Sequence, residues 1–165
     1  MGKIYTICLN SSQGTIQPYT DNTGTTTTDI RNVGYFYDWS LLPQDKKYKL
    51  NFNFITVGHT STGANVCNIY CDMTQLNTRF AQGLYSTSNT RLNYSYLGSA
   101  RLTLIGTNSY LWADSNFNGT LYLDRPPTNN NFMISLINND VNKTPYSSTT
   151  LFGGYTLTLS FEEIN

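Results

Sequence analysis

The sequence predicts an all-β chain folded as a two-sheet antiparallel sandwich of the single jelly-roll kind, and three observations predict it. Apolar and polar residues alternate at period two in short runs from one end of the chain to the other. Those runs are punctuated by Gly, Pro and Asn clusters at short intervals. Charged residues make up only 12% of the chain, about half the usual share, and the deficit is filled by Thr, Asn and Ser, which favour strands or turns over helix interiors. Ala-, Glu- and Leu-rich helical stretches are absent.

With 165 residues the chain supports one core of ordinary size, so residues 1–165 are expected to form a single domain. Its first strand starts near Ile4, with Ile4, Thr6 and Cys8 opposed to Tyr5, Ile7 and Leu9. From Asn10 to Thr28 the chain offers little to bury, and residues 10–30 are expected to be a long polar loop or an edge excursion. Strands follow at 33–40 and 48–57, the second with Leu50, Phe52 and Phe54 on one face, and Pro43 breaks the connection between them. Residues 59–64 are expected to form a turn. The run 65–73 alternates again, with Cys67, Ile69, Cys71 and Met73 on one side, while 74–99 reads mainly as loop with a helical turn or two near 75–81.

Short strands are expected at 101–105, 109–113, 120–124 and 132–137, and Arg125-Pro126-Pro127 marks a rigid turn. The last strand has the cleanest pattern: Tyr155, Leu157, Leu159 and Phe161 alternate with Thr156, Thr158 and Ser160, behind a Gly153-Gly154 bend. Eight or nine such strands argue for a sandwich or barrel, and the lack of a 20-to-50-residue repeat argues against a propeller or solenoid. The expected core is Phe52, Phe54, Ile69, Leu102, Leu104, Ile134, Leu136, Leu157 and Leu159, each on the more apolar face of its strand.

Charge limits the partners. Lys and Arg together number 10 against 10 Asp and Glu, and the only basic cluster is Lys46, Lys47 and Lys49, so no direct nucleic-acid contact is expected. No apolar stretch reaches the length of a transmembrane helix, and the alternating N-terminal run reads as a strand rather than a signal peptide. Cys67 and Cys71 would lie about 13 Å apart on one strand face, too far for a disulfide. With Cys8 they are expected to be reduced, packed thiols of a protein made in a cytosol.

No catalytic apparatus is expected, and no metal or other cofactor. The one histidine, His59, lies in a Gly-His-Thr-Ser-Thr-Gly turn with no nucleophile-elbow or cysteine-protease signature. Together with Cys67 and Cys71 it lacks the paired close spacings of a zinc site. Glycoside hydrolysis needs two carboxylates across a cleft, and the adjacent pair Glu162-Glu163 would point to opposite faces of a strand.

Two aromatic clusters stand out, Tyr35-Phe36-Tyr37-Asp38-Trp39 and Tyr110-Leu111-Trp112. Tyr35, Tyr37, Trp39, Tyr110 and Trp112 are therefore the candidate site residues. Core and subunit-interface packing is preferred for them, since one ring in two points inward in any strand. The alternative is a sugar-stacking platform, with ring faces on a pyranose and Asn or Asp binding its hydroxyls.

Three segments carry a family resemblance: 37–43 leading into 48–54, Arg125-Pro126 leading into 131–136, and 155–162. This layout, with the Asn-, Thr- and Tyr-rich composition, resembles the short jelly-roll virion proteins, minor capsid or penton-like, of large DNA viruses of algae and protists and their satellites. The resemblance runs through most of the chain from Tyr35 onward. It implies a structural role in the virion after synthesis in the host cytoplasm. The implied partners are further copies of the chain, as a homotrimer first and a pentamer second, and other capsid proteins. A carbohydrate- or receptor-binding module of the same fold is the alternative.

Overall fold

The computed structural model describes residues 2–21, 23–59, 66–73, 95–104, 110–113, 121–137 and 154–164. Among these, ten strands form and no α-helix does: β1 (Ile4–Asn10), β2 (Thr15–Thr20), β3 (Thr26–Phe36), β4 (Lys47–His59), β5 (Val66–Cys71), β6 (Ser95–Leu104), β7 (Tyr110–Ala113), β8 (Leu121–Leu123), β9 (Asn131–Ile137) and β10 (Tyr155–Ile164). The hydrogen-bonded order is β1-β10-β4-β7-β6-β5-β9-β3-β2, with the short β8 beside the start of β4. All pairings are antiparallel.

The path folds into two facing sheets, β1-β10-β4-β7 and β6-β5-β9-β3-β2, joined along the β6–β7 pairing. With β2 and β8 set aside, the chain visits the two sheets in the alternating order of a jelly roll. The ends of the path, β1 and β2, are connected by the turn at 11–14. They leave one open seam among the described strands.

Period-two alternation builds the core in rows. In the first sheet Leu9, Leu157 and Phe54 lie abreast, then Ile7, Leu159 and Phe52, then Tyr5, Phe161 and Leu50. Of these only Tyr5 is not fully buried. Val33, Ile134 and Cys71 form the facing row of the second sheet, and Leu136 lies beside Ile69. Each fully buried Leu, Ile or Phe contributes roughly 1.5–3 kcal/mol. At Gly98 of β6 a Cβ would come within 2.0 Å of Phe52 Cζ, so only glycine admits that ring.

Seven of the nine expected core residues are buried (Phe52, Phe54, Ile69, Ile134, Leu136, Leu157 and Leu159). The side chains of Leu102 and Leu104 lie outside the described set. The expected bend before the last strand is present at Gly154, whose φ of 114° favours glycine. Ser11 Oγ accepts the Tyr155 N–H at 2.9 Å there.

Residues 10–30, expected to be a long polar loop or an edge excursion, carry the edge strand β2 and the first five residues of an 11-residue β3. Side chains supply what the apolar pattern lacks. Asp21 Oδ1 accepts the N–H groups of Thr23 and Thr25 at 2.8 and 3.0 Å, closing the turn, and Gly24 takes a φ of 86° within it. Pro18 cannot donate to a ladder, and the register shifts between Ile16 and Pro18. Asn32 Nδ2 donates to the carbonyls of both Gln17 and Pro18, at 3.1 Å each, and holds the irregular edge in place.

Two strand boundaries also differ. β3 ends at Phe36 rather than Ser40, because Asp38 caps a single 3-10 turn, Trp39–Leu41, by accepting the Ser40 N–H at 3.1 Å. β6 begins at Ser95, inside the stretch read as loop, where Ser99 Oγ donates to Asn68 Oδ1 at 2.7 Å and satisfies two buried polar groups.

Cys67 and Cys71 are buried free thiols, and burial pushes both well up. Cys8 is free but exposed, which corrects its expected packing: it stands on the outward face of β1, opposite Thr158. Folded protein treated with a thiol-alkylating reagent should therefore label at Cys8 before Cys67 and Cys71, and Cys8→Ser should remove that first label. Equal labelling of all three thiols in the folded protein would contradict the burial of β5.

Candidate functional site

The open seam holds a groove of about 750 Å³. One wall is the edge strand β1 from Ile7 to Asn10, and the other is the first half of β2 with the last residues of β3 and the start of β9. The turn at 11–14 closes one end. Gly14 permits this closure, since a Cβ at that position would lie 2.2 Å from Val33 Cγ1 and 2.8 Å from the Gly34 carbonyl.

Tyr35, Phe36 and Tyr37 supply the aromatic part of the lining. Tyr35 is half-buried, tilted against Phe132 with centroids 6.0 Å apart, and its hydroxyl donates to the Tyr155 hydroxyl at 3.1 Å. Burial pushes the Tyr35 phenol up to about 12, so it remains a neutral hydroxyl across the physiological range. Tyr37 is half-buried against the core. Phe36 is the outlier, 69% exposed on a strand whose neighbours are covered.

The polar part comes from Asn10, Gln13, Gln17 and Asn131, with one carboxylate, Asp72, just past the end of β5. Asp72 Oδ1 accepts the Met133 N–H at 2.5 Å. Burial raises the Asp72 carboxyl above its usual range, and the Met133 N–H opposes that rise. Among the described residues no Lys, Arg or His lines the groove.

Of the five candidate residues read from the sequence, Tyr35 and Tyr37 reach this groove. Trp39 does not, and its candidacy as an interface or stacking residue is corrected: it is 1% exposed. Its ring lies 5.5 Å from Phe132 in one sheet and 5.5 Å from Phe161 in the other, and its Nε1 donates to the Asn129 carbonyl at 3.0 Å. Tyr110 and Trp112 lie in β7, and their side chains fall outside the described set, as does that of His59, which is the last residue of β4, paired with Tyr110, rather than the first of the expected turn.

The sequence reading missed Gln13, Gln17, Phe36, Asp72 and Asn131. Phe36 sat within the noted aromatic cluster, but Asp72 and Asn131 are separated from it by tens of residues and no local pattern connects them.

Among the described residues no three of His, Cys, Asp and Glu are placed to share a metal ion. No helix among them is long and apolar enough to cross a membrane. Compared with models of known protein families and with curated protein sequences, the chain matches none.

Proposed function

We propose that this chain is a structural subunit of a virus particle, a minor capsid or penton-like component that self-associates in the shell and performs no catalysis. The observation that carries the reading is the strand order, in which β1-β10-β4-β7 faces β3-β9-β5-β6. Capsid subunits are among the proteins built on that arrangement. Because lectins share it, surface chemistry must support the choice.

The outward face of β1, β10 and β4 provides that support. Two successive rows, Thr6-Ser160-Asn51 and Cys8-Thr158-Asn53, present uncharged polar groups on a regular sheet. Those two rows can meet a second protein surface without desolvating a charge, the next row holding its charges as the Lys49–Glu162 pair, and the chain's zero net charge removes long-range repulsion between copies. Cyclic closure around a three-fold or five-fold axis would also cover the free edges of β1 and β2. In this reading the protein is made in the host cytoplasm and resides in the virion beside other capsid proteins.

Sedimentation at micromolar concentration should show a homotrimer, or failing that a pentamer. Asn53→Arg, on the exposed face, should shift the protein to monomer without lowering its melting temperature. A wild-type monomer at that concentration would sink the proposal.

A further inference from the structure

We infer that the groove between β1 and the β2–β3 hairpin is a binding site for a neutral saccharide. The inference rests on the concave surface rather than on the flat outer face behind the virion reading, although the two share the edges of β1 and β2 and Cys8.

Three features of the lining converge on that ligand class. Phe36 keeps 69% of its surface exposed while bordering a concavity, whereas its neighbours Tyr35 and Tyr37 turn their rings toward Phe132 and Trp39 and are half-buried. A single exposed apolar side chain on a convex surface needs no explanation. An exposed ring at the wall of a groove offers a flat apolar face to the C–H face of a pyranose.

The hydrogen-bonding groups suit a polyol. The amides of Gln13, Gln17 and Asn131 each carry both donors and an acceptor and can serve hydroxyls in either role, while Asn10, whose Oδ1 accepts from the Ser12 N–H and hydroxyl, offers its donors. Asp72 is held in place through Oδ1 by the Met133 N–H, which leaves Oδ2 as an acceptor for a sugar hydroxyl in a charge-assisted bond.

The charge of the groove decides the subclass. Asp72 is the one charged residue among the described residues of the lining, and none of them is cationic to pair with a sialate, uronate, phosphate or sulfate. Acidic glycans would bring a second negative charge next to a carboxylate that burial already disfavours. An apolar small molecule is disfavoured as well, because it would strand the amides and Asp72 without water.

The test is a printed array of neutral glucose-, galactose-, mannose- and fucose-terminated oligosaccharides with sialylated and sulfated ones alongside, probed with the full chain and then with two variants. Wild type should bind at least one neutral saccharide and none of the acidic forms. Phe36→Ala should weaken that binding about tenfold or more, since an aromatic stack is removed. As Phe36 is largely exposed, the melting temperature should not change. Asp72→Asn keeps an oxygen for the Met133 N–H but removes the charge, and should also cost about tenfold.

Occupancy has a second readout. Cys8 borders the groove, so the bound saccharide should slow its alkylation in wild type and not in Phe36→Ala. Four results would each overturn the inference: no neutral saccharide bound, binding confined to acidic glycans, binding unaffected by both substitutions, or Phe36→Ala dissociating an oligomer that binds no sugar. The last would make the groove a contact between copies. A monomer that binds a neutral saccharide would defeat the virion reading and leave this one standing.

Discussion

Leu157→Asp should abolish soluble folded protein. Leu157 is fully buried in β10, between Leu9 of β1 and Phe54 of β4. No cationic residue stands in that row, so the introduced carboxylate would be buried unpaired or forced to take a proton. Either outcome costs several kcal/mol, and the leucine's own burial energy is lost as well. Together these are comparable to the total stability of an ordinary domain, about 5–15 kcal/mol. The neighbouring Thr158 points to the opposite face of the same strand, and Thr158→Asp should change stability by no more than about 0.5 kcal/mol. Expression level and urea denaturation of the two variants check the pair. Normal folding of Leu157→Asp would refute the facing of β10.

Trp39→Ala should have the second largest effect, and on stability rather than on binding. The indole fills the space between Phe132 of one sheet and Phe161 of the other, and Tyr37 covers it with centroids 4.8 Å apart. Truncation removes those contacts and leaves a cavity that two hydrogen-bonded sheets cannot close, a loss of about 3–5 kcal/mol. At this chain length that corresponds to a fall in melting temperature on the order of 10 °C.

Trp39→Phe separates the two contributions. It keeps a ring between the sheets but removes the donor to the Asn129 carbonyl, and should cost about 1–3 kcal/mol. If Trp39→Ala instead lost self-association or sugar binding at unchanged stability, the residue would belong to the surface after all.

Most of the fold was legible in the sequence because strand facing is a local property. Side chains alternate sides along any strand, so Leu157 and Leu159 declare an inward face and Thr156 and Thr158 an outward one. Where the pattern was weak, the reading failed for a definite reason. The hairpin of β2 and β3 draws its order from Asp21 closing a turn and Asn32 reaching across to the carbonyls of Gln17 and Pro18. Those bonds join residues that no periodicity relates. β6 was likewise hidden at its start by Gly98 and Ser99, residues that read as loop until Phe52 is seen to need the first and Asn68 the second.

The candidate site was less legible. The aromatic cluster at 35–39 was evident as a cluster, but its members divide by what stands across from them: Trp39 between two sheets, Tyr35 and Tyr37 half-covered, Phe36 open to the groove. By itself the sequence determined the β class, the inward faces of the strands and the shortage of charge, since each depends on composition or on neighbours two residues apart. Only the tertiary structure decided that β1 and β2 border one seam, that Asp72 and Asn131 join Phe36 there, and that Trp39 is core. Those outcomes depend on antiparallel pairings between distant segments, and the geometry opposite a side chain, rather than its sequence context, sets whether it is buried or free to bind.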